Sequence, residues 1–146
     1  MVSISGNNGD GQADVHAPAL WNNTITVAAT DMHDERMVAG FGSSGSGESV
    51  DFAAPGWGMY AAVCPDTRGC SDVYEDNYFS GTSGAAPMVS GLVALMLARA
   101  NDLSITLDWD DIYDLLKDNA NPIGTTPPTD EFGWGRIDAY ETLSDM

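Results

Sequence analysis

Apolar positions in the first third of this chain come as short, near-continuous runs separated by turns rich in glycine and serine. Residues 2–5, 24–29 and 49–53 form three such runs, carrying Val2, Ile4, Ile25, Val27, Val50 and Phe52. Runs without strict alternation are what strands covered on both faces show. Between the last two, residues 40–47 hold four glycines and three serines and read as a turn-rich connection. The pattern changes after Gly81. Residues 83–100 contain no helix breaker beyond Pro87, and Met88, Val89, Leu92, Val93, Leu95, Met96 and Leu97 occupy nearly every side. That predicts a helix buried in the middle of a domain. Asp108 then reads as the N-cap of a second helix, with Asp110 and Asp111 in its first turn and Ile112, Leu115 and Leu116 on its inner face. After a Pro/Thr-rich loop at 125–129, residues 132–138 are expected to form a short strand leading into a last helix. No internal repeat is visible. Strands followed by helices point to an α/β structure around a parallel sheet.

The length of 146 residues suits one domain, 1–146, with a core of useful size. Apolar residues make up 43 %, which places the chain among globular rather than disordered sequences. Charge narrows the partners. With 22 acidic against 5 basic residues, net −17, clustered cations for phosphate are lacking. No nucleic-acid partner and no membrane partner are therefore expected. No uninterrupted apolar run is long enough to span a bilayer. The first six residues have neither a basic n-region nor an apolar h-region, so the signal of an exported parent would lie upstream. An acidic surface suits salty or extracellular surroundings, or binds cations and basic substrates. Cys64 and Cys70 flank a loop holding Pro65 and Gly69. They are either a local disulfide, whose small ring contributes about 2 kcal/mol, or two free thiols. The CxxC spacing of metal and redox sites is absent.

Two stretches carry candidate chemistry. In Gly81-Thr82-Ser83-Gly84-Ala85-Ala86-Pro87 a glycine bends the chain before a serine and small residues follow it. The serine is thereby set at a helix N-terminus, where free N–H groups and the positive dipole end favour developing negative charge. A nucleophilic hydroxyl attacking a carbonyl needs that environment. A plain serine cap has the same pattern, and the residues alone leave both readings open. In Ile4-Ser5-Gly6-Asn7-Asn8-Gly9, Asn7 is either a turn residue after a strand or an amide donor. The glycines from Gly6 to Gly11 also prompt a nucleotide-binding reading. Their spacing is not G-x-G-x-x-G and no P-loop lysine follows, so it is set aside.

Residues 80–91 resemble the serine motif of the subtilisin-like serine proteases, the subtilases, including kexin-like members. Ser83 falls on the nucleophile of that motif. Residues 4–9 resemble the strand end whose asparagine completes the oxyanion hole, and Asn7 falls on it. The resemblance covers nearly the whole chain and fits poorly over 66–77, read as an acidic loop inserted into the family pattern. It implies a three-layer α/β/α fold with a mostly parallel sheet, seen here without its N-terminal strands, and a serine endopeptidase acting on peptides or proteins. Ile4, Ser5, Gly6 and His16 fall on substrate-binding positions, His16 narrowing the specificity pocket. The peptide bond before Pro18 is expected to be cis. Asp51 falls on a cation-binding aspartate, implying Ca²⁺ or a monovalent ion held with carbonyls of Ala19, Trp21 and Thr24. An exported protease favours the Cys64–Cys70 disulfide and an extracellular location.

Two positions depart from the family pattern. Gly84 stands where many members carry methionine, and Met88 where many carry histidine. Gly84 is expected to remove an oxidisable thioether from the nucleophile and so to confer peroxide resistance. In the family the triad runs Asp, His, Ser, so its first two members would lie upstream of Asn7. The only histidines, His16 and His33, match neither. The chain is therefore expected to be inactive alone and to bury its cut sheet edge against the N-terminal part of the catalytic domain, or by self-association. The rival is a non-catalytic fragment serving binding or structure.

Overall fold

In a computed structural model the described residues are 1–9, 17–40, 42–63 and 74–146. The chain begins with β1 (Val2–Ile4), β2 (Ile25–Thr30), the two-residue strands β3 (Val38–Ala39) and β4 (Gly42–Ser43), and β5 (Phe52–Pro55). A hairpin of β6 (Met59–Val63) and β7 (Tyr74–Phe79) leads into α1 (Thr82–Leu103), α2 (Trp109–Asp118) and α3 (Ala139–Ser144). β1, β2 and β5 make a parallel sheet in that order, pairing Val2 with Ile25 and Val27 with Phe52. β2 is buried along its whole length, as its near-continuous apolar run predicts. The chain has the α/β subtilisin-like fold.

The pleat sends successive side chains to opposite faces. Ile25, Val27, Ala29, Phe52 and Ala54 meet Ala85, Val89, Leu92 and Met96 of α1 and Leu116 of α2. Ala28 and Ala53 point the other way, against Ala19, Val50 and Phe132. The three helices of the described residues thus share one face, and loops cover the other. The outer edge of β5 is closed by residues 135–137: the Ala53 N–H donates to Gly135 and that of Ile137 to Ala53. β1 has no ladder partner on its outer side among the described residues.

Four expectations are corrected here. α1 is not buried on all sides: Ala85, Val89, Leu92 and Met96 face the sheet, while Met88, Leu95 and Leu97 are 43 %, 55 % and 48 % exposed. Apolar composition tells what a face tolerates, not what covers it. By length and composition α1 also passes for a membrane-crossing helix; here it packs on a sheet. Part of the supposed acidic insertion, Tyr74 to Asn77, is strand β7, because antiparallel pairing with β6 supplies its hydrogen bonds. Residues 42–43 pair with β3 instead of forming a plain turn. Residues 132–138 make only isolated bridges, Gly133 with Thr129 and Arg136 with Ala53 and with Asn121, so no extended strand precedes α3.

Caps set the shorter helices. Asp108 accepts from the N–H of Asp111 and the Asp111 carboxylate accepts from that of Asp108, a reciprocal capping box. Asp138 caps α3, accepting from the N–H groups of Tyr140 and Glu141 and from the Asn121 amide. The Glu141 N–H and then the Asn121 amide hold its carboxyl below the usual value. A depressed folded pKa contributes stability above the unfolded value near 3.8 that is lost as pH falls through the folded one. Asp138→Ala is expected to cost about 0.5–2 kcal/mol at neutral pH. That difference should shrink in unfolding curves taken below pH 3.8.

Candidate active site

Ser83 is the second residue of α1, behind the N-cap Gly81, whose φ of 138° only glycine adopts readily. Gly81 makes no side-chain cap, and Ser83 lies inside the first turn. The plain-cap reading of Ser83 therefore fails. Its side chain is exposed, and neither its hydroxyl nor its N–H has a hydrogen-bond partner among the described residues. The N–H is one of the orphan donors of a helix start, next to the positive dipole end.

Two braces hold this turn. On one side Asn7 Oδ1 accepts from the Thr82 N–H at 2.9 Å and the Thr82 hydroxyl at 3.0 Å. A backbone N–H can only donate, so the amide oxygen must face it, and Nδ2 is left without a partner among the described residues. The Asn7 loop is tied in turn to residues 43–45: the Gly45 N–H donates to Gly6 and that of Gly9 to Ser43. Arg36 binds the carbonyls of both Gly9 and Ser44. On the other side stands the β6–β7 hairpin. The Gly81 N–H donates to the Gly56 carbonyl at 2.7 Å, and the Gly58 N–H to Ser80 Oγ at 2.9 Å.

Beside Ser83 lies a cavity of about 520 Å³ lined by Val2, Ser3, Ile4, Ala86, Pro87 and Ser90. Ile4 of the predicted substrate segment borders it. Ser5 instead is buried, its hydroxyl donating to Gly45, and Gly6 serves through its carbonyl at Gly45 and Thr82. Among the described residues no titratable side chain lines this cavity. His33 is exposed in a turn where its N–H donates to Asp31. His16, Cys64 and Cys70 lie outside the described residues.

Asp51 and the loop around Ala19, Trp21 and Thr24 line one cavity of about 440 Å³, together with Trp109 and Tyr113. The peptide bond between Ala17 and Pro18, ahead of this loop, is cis as expected. The Asp51 carboxylate accepts from the Thr26 N–H at 2.7 Å and from the Tyr113 hydroxyl at 2.8 Å. Burial pushes its pKa up against those two bonds, and no cation faces it among the described residues. Tyr113 in turn is pushed up to about 12, by burial and then by its bond to Asp51. The carbonyls of Ala19 and Trp21 already accept from Thr26 and Thr24, each with a lone pair to spare. One carboxylate and a few carbonyls fit a weak, largely hydrated cation and not a closed calcium cage of six to eight oxygens.

Sequence reasoning missed what fills the space over Gly84. A Cβ there would overlap the Met59 methyl and approach the Phe79 ring to 3.2 Å. A thioether from β6 thus stands beside Gly84, which carries none of its own. A single Met in a β-run carries no signal of this.

Residues 1–135 match the family model described as the subtilase family. The chain belongs to the subtilases. Among similar subtilases, halolysin of Haloferax mediterranei is 34 % identical over 144 residues, 99 % of this chain and 24 % of halolysin. Alkaline elastase YaB of a Bacillus species is 34 % identical over 139 residues, covering 95 % and 31 % of the two chains. The crystal structure of fervidolysin from Fervidobacterium pennivorans, a keratinolytic enzyme related to subtilisin, superposes with a TM-score of 0.79 at 26 % identity, over 99 % of this chain and 22 % of that one. This subtilase chain thus spans between a fifth and a third of the length of these relatives.

Proposed function

We propose that this chain is the nucleophile-bearing part of a secreted serine endopeptidase, in which Ser83 attacks the scissile carbonyl and Asn7 Nδ2 with the Ser83 N–H receives the oxyanion. The observation that carries it is the Thr82–Asn7 bond. It engages the amide oxygen and leaves the N–H₂, like the Ser83 hydroxyl one residue on from Thr82, without a partner among the described residues. Preorganised donors of this kind act on charge that appears only in the transition state.

The histidine that takes the Ser83 proton, and the aspartate that orients it, come from the N-terminal part of the catalytic domain. That part docks on the free edge of β1 and the exposed side of α1, where Ile4, Met88, Leu95 and Leu97 face solvent. Self-association through the same surface is the fallback when it is absent. Secretion accords with the acidic surface and with a similar protein from Natrialba magadii named as an extracellular serine protease. The substrate is a peptide or protein.

A fluorophosphonate probe tests the nucleophile. Labelling of the complete protease is expected at Ser83 and absent in Ser83→Ala; labelling elsewhere with activity intact sinks the assignment. A cation at Asp51 is a secondary proposal, supported by its half-buried carboxylate, which no cation faces among the described residues, in a cavity shared with the Ala19–Thr24 loop. When bound it would neutralise that charge and steady the loop. Millimolar Ca²⁺ is expected to raise Tm in the wild type and not in Asp51→Ala, whereas equal shifts in both would place the ion elsewhere.

A further inference from the structure

The nucleophile turn has an unusual support. The α1 N-cap makes no side-chain hydrogen bond and the first turn holds no acidic residue, so no cap of its own steadies the end that carries Ser83. The Thr82–Asn7 bonds hold one flank. The opposite flank rests on the base of the β6–β7 hairpin, where Met59 and Phe79 are directly paired. Both side chains converge on Gly84, the residue after Ser83: the Met59 methyl occupies the place of a Gly84 Cβ, and the Phe79 ring lies at 3.2 Å from it. Two hydrogen bonds, Gly81 to Gly56 and Gly58 to Ser80, tie the chain segment that carries Met59 to the helix start. An unbranched thioether suits such a gap, since it fills irregular space without branching strain.

We propose that Met59 is a positioning residue for Ser83, a plug carried in from the β6–β7 hairpin that seats Gly84 and the first turn of α1, and that its oxidation unseats the nucleophile. The inference rests on the reading of Ser83 as nucleophile. In the oxidation step hydrogen peroxide transfers one oxygen to the thioether sulfur. The S–O bond forms as the O–O bond breaks, and water leaves with both protons. The sulfoxide is polar and chiral where the thioether was apolar. The larger, polar end of the side chain no longer suits the apolar seat over Gly84 beside the Phe79 ring. Met59 is half-buried and open to peroxide, as are the more exposed Met1, Met32 and Met88, whereas Met37 and Met96 are fully buried. The Met59→Leu arm below isolates its share.

The first test is a thermal-unfolding cycle on residues 1–146. Gly84→Met overpacks the seat and is expected to lower Tm by about 3–10 °C. Met59→Ala added to it should restore at least half of that loss. Gly84→Ala, the milder change, provides the same cycle if Gly84→Met does not fold. Equal losses with and without Met59 would show that Met59 is not the occupant. The second test reads positioning rather than packing. In the complete protease, peroxide should lower kcat in step with Met59 sulfoxide measured by peptide mapping. Met59→Leu should retain its own untreated activity under the same dose. Equal inactivation of both proteins overturns the proposal. If Ser83→Ala remains active, the nucleophile reading has failed, and the Tm cycle still decides the Met59–Gly84 contact.

Discussion

Purified residues 1–146 are expected to show no measurable peptidase turnover. A serine hydroxyl is protonated at neutral pH and a poor nucleophile until a base takes its proton. Among the described residues the Ser83 hydroxyl has no partner and no titratable group lines the cavity beside it. His33 is exposed, in a turn bonded to Asp31. Losing a triad member costs about 10⁴–10⁶ in kcat, a figure that itself comes from a subtilisin. That exceeds what any remaining oxyanion donor returns, since the donors stabilise a charge that now rarely develops. A fluorogenic protein substrate provides the assay. Mixing the chain with a separately made N-terminal part of the domain should restore hydrolysis that Ser83→Ala abolishes. Hydrolysis by 1–146 alone, lost in Ser83→Ala, would place the base within this chain or a second copy of it.

The second large effect belongs to Asn7 in the complete protease. Removing its amide donor should lower kcat by about 10²–10³ with little change in KM, a magnitude known from a subtilisin asparagine in this role. Asn7→Ala confounds the test, because Oδ1 also accepts from the N–H and hydroxyl of Thr82, which is fully buried. Stripping that acceptor leaves a buried donor unpaired at a cost of about 1–3 kcal/mol. Asn7→Asp separates the two roles. It keeps an oxygen for Thr82, so Tm should stay near that of the wild type, while the lost N–H₂ and the added negative charge oppose the oxyanion. Wild-type kcat in Asn7→Asp would remove Asn7 from the chemistry. A parallel fall of Tm in both variants would assign it to the fold alone.

The sequence by itself determined what is local. The run of Ile25 and Val27 became the buried central strand, Asp108 and Asp111 the capping box of α2, and Gly81 the bend that starts α1. Each depends on residues within a turn or two, where backbone propensity and side-chain caps act without help. The motifs at Asn7 and Ser83 were legible through their resemblance to the subtilases, though 75 residues separate Asn7 from its partner Thr82. Only the tertiary structure decided which pairings close over distance. Tyr74 to Asn77 became a strand because β6 lies beside it, and α1 is bare on one side because no described element packs there. Asp51 turned out to share its carboxylate between β2 and α2, and Met59 to fill the space over Gly84. Long-range contacts of this kind follow from how layers stack. The side chains that meet there carry no periodicity, and nothing within a turn of Met59 shows where its methyl will rest.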